Sequence, residues 1–93
     1  MELQELRMQI DEIDRSLVSL FVRRMALAEE IAAFKKTHDL PVLDEQREQE
    51  KLQSVISQAP AELRPAVRSL YERIMELSRK RQLALPDGKE VIR

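Results

Sequence analysis

From Leu3 to Phe34 the apolar residues recur as Leu3, Leu6, Ile10, Ile13, Leu17, Leu20, Leu27, Ile31 and Phe34. The steps alternate between three and four, the seam of a long helix that packs on a partner. No Gly or Pro interrupts the run, and Pro41 drives Leu40 out of helical geometry, so the pattern predicts one helix from about Glu2 to about Thr37. Such a helix is a rod of roughly 50 Å. A compact domain of this size is only about 30–35 Å across. The rod outruns its own globule, so the expectation is an oligomer in which partner chains cover it, most simply a two-fold homodimer.

One seam position breaks the pattern. Between Leu20 and Leu27, where an aliphatic residue is due, stands Arg24. A guanidinium in an apolar seam is costly unless something anionic meets it.

After a short connection, Asp44 is a good N-cap and Glu45 adds negative charge to the first turn of a second helix, expected to reach about Gln58. Its apolar stripe is thin: Leu52, Val55, Ile56 and Ala59, with Glu48 one turn before Leu52. Ala59-Pro60-Ala61 is a break. Pro65 suits the first turn of a third helix, expected to end near Leu83. That helix carries two stripes, one of Leu63, Val67, Leu70, Ile74 and Leu77, the other of Tyr71, Met75, Ser78 and Gln82. The expected organisation is all-α: three helices in one domain over 1–83, and a fraying tail over 84–93 that holds Pro86, Asp87 and Gly88.

Composition narrows the chemistry. The 93 residues carry a net charge of -1 with no polybasic tract, so there is no electrostatic footprint for nucleic acid. Cysteine is absent, which removes disulfides, thiolate metal sites and cysteine nucleophiles. One glycine rules out a Gly-rich phosphate loop, and one histidine, His38, rules out a multi-histidine metal site. No apolar run is long enough to span a bilayer and no signal-peptide pattern opens the chain, so a cytoplasmic protein without membrane partners is the expectation.

Arg24 and Lys35 are eleven residues apart, close to three turns, so they project in nearly the same direction about 16 Å apart along the axis. Two long cations so placed can clasp one small polyanion. Arg7 stands about 42 Å from Lys35 along the rod, so the two cannot hold the same small ligand within one subunit. If Arg7 serves a site of this kind, it serves the partner's. The second helix offers Asp44, Arg47 and Glu48 in its first turn; the third offers Ser78 and Gln82, one turn apart. The set contains no nucleophile–base pair and no metal cluster. It has cations for carboxylates, an amide donor, a hydroxyl, and a carboxylate to accept from a substrate hydroxyl.

Each residue also has a plainer reading. Arg24 can be a register device or can snorkel. Lys35 can be a solvated charge at a helix C-terminus. Asp44 can be only a cap. Glu48 can pair with Arg47 or Lys51 on the surface. Ser78 and Gln82 can be tolerated polar residues beside a seam.

Taken together, the residues resemble the small all-helical chorismate mutases, found free-standing and as the N-terminal domain of bifunctional aromatic-biosynthesis enzymes. The likeness covers roughly Leu3 to Leu83. It runs through LRMQIDEID, then LFVRRMALAEEIAAFK with the family's Arg at Arg24 and Lys at Lys35. It is strongest in PVLDEQRE, which gives Asp44, Arg47 and Glu48, and it closes with LSRKRQ, which gives Ser78 and Gln82. The resemblance implies an interlocked homodimer with two sites, and conversion of chorismate to prephenate without metal or cofactor. It also implies that Arg24 and the other chain's Arg7 bind the two substrate carboxylates, with Arg47 and Ser78 nearby. Lys35 and Gln82 then hydrogen-bond the ether oxygen, and Glu48 holds the ring hydroxyl, helped by backbone at Asp44.

Three rivals stay open at this point: an isochorismate–pyruvate lyase of similar fold and site, a non-catalytic regulatory or docking domain that keeps the pocket, and a plain helical oligomerisation module.

Overall fold

The structure, a computed structural model, describes residues 2–84. The expected tail therefore lies outside the described residues, apart from Ala84. Three α-helices, α1 (Leu3–Thr37), α2 (Glu45–Ser57) and α3 (Arg64–Ala84), make up an all-α chain, with a single 3₁₀ turn at Ala61–Leu63 leading into α3. The first helix is 35 residues long, so the uninterrupted seam does form one rod.

Local chemistry sets the ends. At the start of α1, the Glu5 carboxylate accepts from the Glu2 backbone N–H at 3.1 Å, satisfying a donor that a helix start leaves open. At the other end, Leu40 N–H donates to Lys35 C=O at 2.7 Å and Asp39 N–H to Lys36 C=O at 3.3 Å. These two bonds close the helix as a Schellman motif, which requires a left-handed residue between cap and exit. Asp39 takes that place, with φ at 58°. The His38 ring stacks on Phe34 with centroids 3.9 Å apart. Asp44 caps α2 as its sequence suggests, its Oδ1 accepting from Arg47 N–H at 3.0 Å. Pro65 lies in the first turn of α3, where its missing N–H leaves no bond unmade.

Helix α3 packs on both α1 and α2, while α1 and α2 make no close backbone approach to each other. The fold is consequently a flat array, 54 × 32 × 14 Å, with a radius of gyration of 16.8 Å. A compact chain of this length has a radius nearer 12–13 Å. The core is small: Ala28 and Ala32 of α1, Leu52 of α2, and Met75 and Ser78 of α3 are buried. Ala28 and Ala32 sit one turn apart, and their size lets α3 lie close against α1.

The seam of α1 is not part of that core. Its nine aliphatic and aromatic positions all remain exposed, from Leu6 at 45% to Leu3 at 61%. Helix α3 repeats the contrast. The stripe that turns polar buries Met75 and Ser78 and half-buries Tyr71 and Gln82, whereas the more apolar stripe buries none of its residues: Val67, Ile74 and Leu77 are half-buried, and Leu70 and the preceding Leu63 are exposed. Among the described residues, no helix is long and apolar enough to cross a membrane.

Candidate active site

A cavity of about 500 Å³ opens among the three helices, a volume suited to a small organic ligand. Seven of the eight residues singled out from sequence line it. Arg24 and Lys35 come from α1, Asp44, Arg47 and Glu48 from the start of α2, and Ser78 and Gln82 from α3. Leu27, Ala28, Ile31, Val42 and Met75 supply its apolar wall, and Lys51 adds a further cation. Arg7 is not among the lining residues; it sits near the far end of α1 and is exposed.

The helix geometry explains the convergence. Arg24 and Lys35 share a face of α1, as their spacing requires, and Ala28 and Ile31 lie between them on the same wall. The turn after α1 brings Val42 back beneath Lys35, whose ammonium donates to the Val42 carbonyl at 3.2 Å. Lys35 is half-buried and so is not the freely solvated helix-end charge of the plainer reading. One donor in three is used on Val42, leaving two for a ligand. Across the cavity, Gln82 Nε2 donates to the Ala28 carbonyl at 3.2 Å, which fixes the amide and leaves its second N–H available.

Arg24 answers the question posed by its place in the seam. Its Nη1 donates to Ser78 Oγ at 2.8 Å, and its guanidinium carbon stands 6.0 Å from the centre of the Tyr71 ring, at the outer limit of a cation–π contact. These contacts are neutral. Among the described residues, no carboxylate forms an ion pair with Arg24. Ser78 in turn donates to Met25 Sδ at 3.9 Å. With an arginine and a thioether as neighbours, its hydroxyl has no general base and is not an activated nucleophile.

Glu48 departs from its plainer reading. Its carboxylate pairs with neither Arg47 nor Lys51 but with Arg79 of α3, Nη1 to Oε1 at 2.5 Å. Arg47 and Lys51 are left facing the cavity. Four cationic side chains therefore line the wall against two carboxylates, of which Asp44 is engaged as a cap and Glu48 by Arg79. The cavity suits a small anion carrying more than one negative group. Among the described residues, no group of three or more His, Cys, Asp and Glu side chains is placed to hold a metal ion.

Sequence reasoning missed Arg79, the wall position of Lys51 and the Val42 carbonyl. For Lys51 a signal existed: it lies one turn beyond Arg47 on α2. For Arg79 no periodic signal exists, because a charged residue beside Ser78 reads as surface until α2 is laid against α3.

A family model described as chorismate mutase type II matches residues 6–83. Among curated proteins, the T-protein of Haemophilus influenzae is 38% identical over 52 residues, which are 56% of this chain and 14% of that one. This chain thus spans only a small part of that relative's length. No solved structure matches. The family match takes in α2 and nearly all of α1 and α3, and with them every helix that lines the cavity: the chain belongs to the chorismate mutase type II family.

Proposed function

We propose that the chain rearranges chorismate to prephenate in the cavity between its three helices. The observation that carries this reading is Arg24: a half-buried guanidinium at the cavity wall whose partners among the described residues are a hydroxyl and the face of an aromatic ring, with no anion. A [3,3] rearrangement is unimolecular and needs neither nucleophile nor proton shuttle, which matches a wall of fixed donors around an inert serine.

In this reading Arg24 and Arg47 bind substrate carboxylate, and clamping both carboxylates selects the folded conformer in which the reacting carbons approach. The breaking C–O bond runs ahead of the forming C–C bond, so negative charge grows on the ether oxygen. The free donors of Lys35 and Gln82 stabilise that charge, binding the transition state more tightly than the substrate. Glu48 accepts from the ring hydroxyl with the oxygen that Arg79 leaves open.

We further propose that the covering of α1 is a second copy of the chain, and that the copy's Arg7 completes the carboxylate clamp. The supporting facts are the exposed apolar residues of the seam and the absence of Arg7 from its own cavity.

The test is addition of the purified chain to chorismate, followed by loss of chorismate absorbance with separate assays for prephenate and for salicylate plus pyruvate. Prephenate alone is the expected product. No loss of chorismate by the active-site-intact chain ends the catalytic reading in favour of a sensing or docking domain. Turnover of isochorismate to salicylate and pyruvate, with chorismate untouched, ends it in favour of the lyase.

A further inference from the structure

Ser78 and Arg79 are neighbours on α3, turned about 100° from each other around the helix axis. The first reaches α1 and receives Arg24 at 2.8 Å; the second reaches α2 and grips Glu48 at 2.5 Å. Arg79 is not itself part of the cavity wall, whereas Glu48 is. Both side chains of the pair are partly shielded, Arg79 at 36% and Glu48 at 28% exposure. It is also the ion pair that joins α2 to α3 among the described residues; the others lie within α3 or join α3 to α1.

A glutamate has three side-chain torsions and a solvated carboxylate to give up when it takes a fixed position, and freezing those torsions is worth about a factor of ten in an equilibrium. Lys51, at i+3 on its own helix, is the neighbour placed to draw Glu48 elsewhere. Glu48 pairs instead with Arg79, which approaches from the facing helix, lies off the cavity wall and holds one carboxylate oxygen. Among the described residues the other oxygen makes no hydrogen bond, and Glu48 lines the cavity, so its lone pairs are unspent and available to a ligand there.

From this geometry we infer that Arg79 is a positioning residue: it anchors Oε1 of Glu48 from outside the cavity so that Oε2 is presented, in one orientation, to a hydroxyl-bearing ligand. This rests on the proposed reading in so far as the ligand is chorismate, but the anchoring itself does not. Arg79 acts on the reaction only through Glu48, and its effect vanishes when the carboxylate does.

Two measurements test it. The first needs no turnover. In a crystal structure of the Arg79→Met variant, which keeps the aliphatic stem, Glu48 is expected to leave its place on the cavity wall or to spread over several rotamers. A Glu48 that stays where it is overturns the inference, whatever the chain catalyses. The second is a double-mutant cycle on kcat/KM for chorismate. Arg79→Met is expected to lower kcat/KM about tenfold in the otherwise unaltered chain, with Arg79→Lys recovering part of the loss. The same substitution in a Glu48→Gln background is expected to change it less than about twofold. Equal losses in both backgrounds would mean that Arg79 works through the fold or the overall field, and would overturn the positioning role. An unaltered chain that leaves chorismate untouched counts against the proposed reaction, and the crystallographic result then decides the anchoring alone.

Discussion

The two halves of α1 share one sequence pattern and have opposite surroundings. From Leu3 to Leu20 every residue is exposed, seam and flank alike. From Phe21 to Thr37 the helix meets α3, buries Ala28 and Ala32, half-buries Phe21, Arg24 and Met25, and supplies Arg24 and Lys35 to the cavity. The buried face of the later half is explained by contacts within the chain, although its seam residues Leu27, Ile31 and Phe34 stay exposed. The earlier half is not, since an isolated stretch of about 18 residues with a solvated apolar stripe is a marginal helix in water. Periodicity records that a face is to be covered; only the tertiary arrangement says by what. One half of the rod lines the cavity, and the other half carries Arg7 and an exposed apolar seam.

The sharpest way to test the later half is Lys35→Ala. Removing one fixed donor at a developing oxyanion removes about 3–4 kcal/mol of transition-state stabilisation, so kcat is expected to fall by two to three orders of magnitude while thermal unfolding barely moves. A rise in KM with kcat unchanged would show that Lys35 binds substrate and transition state alike. The earlier half is tested next by Arg7→Ala, which is expected to lower kcat/KM by about a hundredfold although Arg7 is remote from its own cavity. Mixing the inactive Arg7→Ala and Arg24→Ala chains, after unfolding and refolding together, distinguishes the two halves directly. A heterodimer that shares Arg7 across chains contains one intact site, so about one quarter of the unmixed activity is expected to return; no recovery would place Arg7 outside any shared site.

A smaller effect is expected from Ile13→Asp, at a seam position 57% exposed in the protomer. If the protomer were the whole assembly, the change would be close to neutral. Covered by a second copy, it loses about 2 kcal/mol per chain in buried apolar area alone, and sedimentation is expected to show the monomer mass. The smallest effect lies outside the comparison and serves as its control. Arg73 hydrogen-bonds the exposed Glu76 carboxylate and holds it below the ordinary glutamate range. A depressed folded value contributes stability above that range, lost as pH falls through it, so the contribution fades from about pH 4.3 downward. Glu76→Gln is expected to reduce the acid-side slope of the melting temperature slightly and to leave activity untouched. Between pH 6 and 8 activity itself is expected to stay nearly level, because the Gln82 amide donates without being protonated.

Much of this arrangement could be read in advance because it depends on local rules. The length of α1 follows from missing breakers, the start of α2 from Asp44, the entry to α3 from Pro65, and the shared direction of Arg24 and Lys35 from their spacing. What stayed hidden depends on which surfaces meet. Leu63 and Leu70 look more like core than Ser78 does, yet they are exposed and Ser78 is buried, because periodicity ranks faces without assigning partners. The plainer reading pairs Glu48 with Arg47 or Lys51, its neighbours along one helix, whereas its partner Arg79 is 31 residues away in sequence. Arg79 could not be found by any within-helix rule.

At 14 Å through, the protomer is a single layer of helices, and no large side chain among the described residues is fully enclosed. A layer has two faces and no interior, so whatever encloses its exposed stripe also decides whether it persists. If a second copy is what encloses it, as proposed, dilution acts on this protein as a denaturant does, and the melting temperature is expected to slide downward as the concentration drops.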